Sequence, residues 1–188
     1  MKSKSFNMLF NPYIRIAGWQ ALAIGLIFMA LTGILGAYSD VAFDGVLDMH
    51  LFEITLTQSF AYLGLGLFSL VLVMWIVGLL LSKDFRFIDI LGTMTLAKAP
   101  FLILSIAGFF TTAPKLENIV SNPYLVFQNV SFMIMLFLST VVIIWNIILM
   151  HNALKTSCNI KGNKLTIAFI AGLILSEILS KVLIYNLV

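Results

Sequence analysis

LGLGLFSLVLVMWIVGLLL, residues Leu63–Leu81, holds no charge, and its apolar side chains fall on every side of a helix. A helix on a soluble core shows an apolar stripe, and a lipid-facing barrel strand alternates. This stretch does neither. Extended back to Leu56, it is long enough to cross ~30 Å of hydrocarbon, which takes about 20 helical residues. Backbone groups in lipid must be paired within their own segment, so the reading is a transmembrane helix.

Four more runs of this kind flank it. The expected spans are Ile14–Ala37, Leu56–Leu81, Phe87–Thr112, Tyr124–Met150 and Leu165–Leu187. The composition agrees: 61% of the residues are hydrophobic and 10% charged, with a mean hydropathy of +1.08. The fold class expected is all-α, a polytopic transmembrane bundle of five helices forming a single domain over 1–188. The run after the mildly basic N-terminus is too long for a signal peptide and reads as a retained first span.

Basic residues set the orientation. With the N-terminus in the cytoplasm, Lys2, Lys4, Arg15, Lys83, Arg86, Lys155, Lys161 and Lys164 lie inside and only Lys115 outside. Five spans then put the C-terminus outside, and the expected location is a bacterial inner membrane. The basic residues are scattered over short loops, which excludes a nucleic-acid surface. The single cysteine, Cys158, excludes an internal disulfide and reads as a loop thiol.

Charges inside the spans are where chemistry would sit. Lys98 lies about 11 residues into the third span, close to the midplane at ~1.5 Å per residue. Glu177 lies at similar depth in the fifth, with Lys181 one turn further on. A charge there costs at least ~2.5–3.5 kcal/mol unless paired. The expectation is a Lys98–Glu177 pair across the two helices, or a local Glu177–Lys181 pair, with Lys181 alternatively snorkelling toward the outer interface. Such a pair fixes the bundle, or it lines a cavity for an ion or small solute. Pro100 removes an N–H and crowds Leu96, which predicts a kink in the third span, with Asp89 adding polarity to its inner half.

Small residues recur along two helices: Ala168, Gly172, Ser176 and Ser180 on the fifth, Ala17, Ala21 and Gly25 on the first. Such stripes allow close helix approach, either within one chain or between copies. The first connector, Tyr38–Thr55, is acidic. If helical, it places Asp40, Asp44 and Asp48 on one face and lies at the interface as an amphipathic helix. Asp44, Asp48, His50 and Glu53 are the nearest approach to a metal-ligand set, but they match no metal motif and no metal is expected. Nucleophile-elbow, phosphate-loop, dinucleotide and CxxC motifs are missing. His50 and His151 fall on opposite sides of the membrane. No enzymatic activity and no cofactor is expected. Asn129-Val-Ser131 matches the glycosylation triplet but falls within the expected fourth span.

Phe10-Asn11-Pro12 before the first span, Asp89-Ile90-Leu91-Gly92-Thr93 with Ala99-Pro100 in the third, and Trp145 through His151 before a short basic loop resemble the Yip1 domain family. The resemblance covers nearly the whole chain. It implies five spans with a cytoplasmic N-terminus, and it carries no catalytic residue. The eukaryotic members are linked to Rab GTPases and vesicle traffic. This chain looks more like the compact bacterial branch, so that role is not carried over. The function expected is a non-enzymatic membrane scaffold or organising protein, whose partners are the lipid bilayer and either copies of itself or other membrane proteins. The alternative is a small ion or solute transporter, or a channel subunit, using Lys98 and Glu177.

Overall fold

The third span is the axis of the bundle. In the computed structural model, which describes residues 8–82, 84–114, 120, 122 and 124–188, 67% of its most apolar window is buried, against 28–39% for the other four. The spans are α1 (Gly18–Tyr38), α2 (Leu56–Leu81), α3 with α4 (Phe87–Ala97 and Phe101–Gly108), α5 (Val130–Ser157) and α6 (Asn163–Leu187). All five are long and apolar enough to cross a membrane. Lys2, Lys4, Lys83, Lys115, Glu117 and Pro123 lie outside the described residues.

The expected interruption at Pro100 divides the third span. Lys98 to Pro100 form a turn, with the Lys98 N–H donating to Thr95 and the Phe101 N–H to Lys98. These are i to i+3 bonds, tighter than those of an α-helix. Some boundaries differ from expectation. The first helix starts at Gly18, because Pro12–Ile14 form a 3-10 turn and Gly18 takes a φ of +55°. The fourth starts at Val130, because the Asn129 side chain accepts from the Phe132 N–H and caps it. It runs on to Ser157, so His151 is in the helix, and Asn129 sits at its mouth rather than within the span.

Helix α1 lies along α3 with backbones nearly touching. A Cβ at Gly92 would fall 2.2 Å from the Gly18 carbonyl, and one at Gly25 would fall 2.6 Å from the Leu96 nitrogen. Helix α6 packs on α2, with Gly172 against Val77 and Met74. Hydroxyls tie the helices together. Ser59 donates to the Gly33 carbonyl at 2.9 Å, Ser105 to Thr32 at 3.1 Å, and Ser157 to Asp89 at 3.1 Å. Where lipid offers no competing partner, such bonds join helices that hydrophobicity alone would not.

The first connector is not the expected interfacial helix. Val41–Ala42 (β1) pairs antiparallel with His50–Leu51 (β2), Val41 opposite Leu51 and Ala42 opposite His50. The loop between them turns back into the bundle. Val41, Ala42, Phe43 and Val46 are each at most 1% exposed. A helix could bury these side chains only along one stripe at the surface. The irregular loop inserts them all between the spans, and Phe43 stacks on Phe101 of α4 at 4.7 Å.

Candidate functional site

The tip of this re-entrant loop meets the intramembrane charges. The Lys98 ammonium donates to the Val46 carbonyl. The Leu47 N–H donates to Glu177 Oε2 at 2.9 Å. Val46 C=O and Leu47 N–H are the two ends of one peptide group, so Lys98 and Glu177 grip the same planar unit from opposite sides. Lys98, Glu177 and Gly66 each lie about ten residues from the connector end of their own span, which puts the tip ~15 Å deep.

The expected direct pairs are therefore corrected. Among the described residues no ion pair joins Lys98 to Glu177, or Glu177 to Lys181. The connector's backbone comes between the first two. Lys181 instead turns to the connector's carboxylates, with Asp48 at 2.7 Å and Asp44 at 3.1 Å. Asp44 also holds His50 Nδ1 at 2.7 Å. Burial pushes the Asp44 carboxyl up, but hydrogen bonds from His50 and Lys181 outweigh it and leave it below its ordinary value. Of the metal candidates, Asp44, Asp48 and His50 belong to this cluster, with a lysine between the two aspartates. Glu53 lies apart, lining a cavity of about 580 Å³ with Tyr38, Asp40, Phe52 and Phe109.

Lys98 is 4% exposed, and its ammonium also lies 4.7 Å above the Phe101 ring. Glu177 is half-buried, and its second oxygen, Oε1, is enclosed without a hydrogen-bond partner. That oxygen rests against Gly45, where a Cβ would fall 2.2 Å away. Only a glycine at residue 45 lets the carboxylate reach the loop in this arrangement.

Asp89 does not join this centre. It sits in the first turn of α3, paired with Arg86 through two bonds of 2.9 and 3.0 Å, nine residues before Lys98. Pro100 belongs to the turn beside Lys98 and starts α4. The small-residue stripes are used inside the chain. Gly172 faces α2, while Ser176 and Ser180 are fully buried and donate back to Leu173 and Glu177 of their own helix. Ala168 is half-buried. Ala21 and Gly25 face α3, but Ala17 is exposed and precedes the helix, so that stripe starts at Gly18. Cys158 is 1% exposed and packs near Gly78, and burial pushes its thiol up to about 11. It is a core residue, not an accessible loop thiol.

Sequence reasoning took Phe43, Val46 and Leu47 of the loop for the apolar side of an interfacial helix, and it missed Gly45 beside them, Gly66 of α2 and Phe101 of α4. Their signal was a connector unusually rich in large apolar residues around a glycine. Asn146, fully buried in α5, also went unremarked; both its amide atoms lack partners among the described residues.

Outward-facing side chains define the class. Ile27, Phe68, Phe137 and Ile174 are 55–73% exposed on four different spans, among many other exposed large apolar side chains, more than a protein surrounded by water carries. The protein is a multi-pass, all-α integral membrane protein. Comparison with protein-family models, curated proteins and solved structures gives no match.

Proposed function

We propose that this protein handles a small polar solute or ion at the plugged centre, without enzymatic activity, as a transporter or channel-type subunit. One observation carries the reading: two charges from different spans grip the backbone of a re-entrant segment beside a 3-10 turn in the third span. Irregular backbone at membrane depth is tolerated only where protein buries it or it lines a cavity. Interruptions of helical geometry beside charge occur at the binding sites of many transporters. Ionisable residues at that depth are costly and mark function by default. The orientation proposed is N-terminus in the cytoplasm and C-terminus outside, in a bacterial inner membrane.

A Yip1-like membrane scaffold is the second reading. It is favoured by the fact that Lys98, Glu177 and Lys181 each already bond to the first connector, so the centre can act as a lock for the bundle. Self-association through the small-residue stripes has less support, because Gly172 and Gly25 are spent on neighbouring helices of the same chain.

Proteoliposome flux separates the two. Under the solute-handling reading, protons, sodium ions or amino acids cross faster with the protein than without it, and Glu177→Gln reduces that flux. Equal flux in empty and loaded vesicles for every species tested favours the scaffold.

A further inference from the structure

The Val46–Leu47 peptide is bound as a ligand would be. Its carbonyl meets a cation and its N–H meets an anion, yet the peptide itself is neutral. Each charge is thus solvated first by a dipole, with the opposite charge held one peptide group away and not in direct contact. Glu177 Oε1 is left without a partner, and a peptide nitrogen has one hydrogen to give. A ligand with a carboxylate for Lys98 and an ammonium for Glu177 would balance both charges, and its three N–H donors would reach both carboxylate oxygens.

The surroundings add a size and polarity preference. The side chains beside this peptide are apolar: Val46 is fully buried, and Phe43 stacks on Phe101. A ligand occupying their place meets an apolar wall. The connector is held by side-chain contacts more than by its own backbone ladder. Its ladder is two residues long on each strand, and a hairpin that short has little stability of its own. The bonds of Lys181 to Asp44 and Asp48 hold it from the more exposed end, with the Asp48 side chain 47% exposed.

We propose that Lys98 and Glu177 bind a zwitterionic α-amino acid with an apolar side chain, in the place taken here by the Val46–Leu47 peptide, when the connector withdraws. This rests on the solute-handling reading and names its substrate class. The extra hydrogen bond and the two direct charge contacts supply the differential affinity that any ligand-driven opening requires. In the plugged form the competent state is a minor population, which lowers apparent affinity in proportion.

The test is equilibrium binding of tritiated L-leucine to the full chain in detergent. Saturable binding is expected, competed by L-valine and L-phenylalanine. L-leucinamide, which lacks the carboxylate, and isocaproate, which lacks the ammonium, should compete poorly. Asp48→Asn removes one exposed latch, which bonds to Lys181 and to neither Lys98 nor Glu177, and should tighten leucine binding about twofold to fivefold. Lys98→Met and Glu177→Gln should abolish it. The proposal is overturned by absence of saturable binding in both the native protein and Asp48→Asn, or by equal competition from leucinamide or isocaproate. Ion flux sensitive to Glu177→Gln without leucine binding would overturn the ligand class and leave the solute-handling reading standing. Loss of both would remove both.

Discussion

Gly45 of the re-entrant loop lies directly against Gly66 of α2: a Cβ at residue 66 would fall 2.8 Å from the Gly45 carbonyl oxygen. Two residues earlier, Gly64 has nothing within 4 Å of its Cβ position. Two glycines on one helix thus make opposite demands. One is open to lipid, and the other is the seat of the loop.

Alanine at these two positions should separate their roles. Gly66→Ala meets backbone that cannot rotate away, so it should destabilise the fold by roughly 1–3 kcal/mol, as overpacking does. Gly64→Ala should be neutral or slightly stabilising, because alanine favours helix. Thermal unfolding in detergent, followed by tryptophan fluorescence, measures both. Equal effects would mean that the loop does not sit on α2.

Glu177 offers a graded change. Glu177→Ala strands the half-buried Leu47 N–H and should cost about 1–3 kcal/mol. Glu177→Gln keeps a carbonyl oxygen to accept that N–H and should cost less than half as much. The same unfolding experiment ranks them. If glutamine proves as damaging as alanine, the charge of Glu177 matters more than its bond to the connector.

Acid should loosen the connector. The Asp44 carboxyl lies below its ordinary 3.8 because hydrogen bonds from His50 and Lys181 outweigh its burial. A carboxylate depressed in the folded state stabilises fully above its unfolded value and loses that contribution as pH falls through the folded one. Native protein should therefore be more stable than Asp44→Asn at neutral pH, and the gap should close as pH drops below 3.8. A gap that persists there would remove Asp44 from the latch.

Topology needs a different cysteine from the native one. Cys158 is 1% exposed and should resist an impermeant maleimide on either side of the membrane until the protein unfolds. In a Cys158→Ser background, Lys161→Cys places a thiol on the exposed turn before α6. It should label in inverted membrane vesicles and not in intact cells. Labelling of intact cells would reverse the proposed orientation.

Leu56–Leu81 was legible to the residue, since long apolar runs dictate helices whatever surrounds them. The break at Pro100 was equally local, because a missing N–H acts within one turn. The depth of Lys98 and Glu177 could be counted from the span ends, but their partner could not. It is a backbone peptide, and every residue carries the same one. The acidic connector misled for a related reason. Asp40, Asp44 and Asp48 have helical spacing, but Asp40 takes a φ of +55°, and the loop follows the tertiary contacts of Phe43 and Val46 instead.

By itself, the chain's pattern of apolar runs determined that five helices form and that Lys98 and Glu177 must find partners between them, because lipid penalises both open backbone and bare charge. Only the folded arrangement decided what hides those charges. A segment that reads as a surface loop enters the bundle, because it can place apolar side chains against the spans and offer one peptide's two poles to Lys98 and Glu177. That choice depends on distances between helices, which no local stretch of residues encodes.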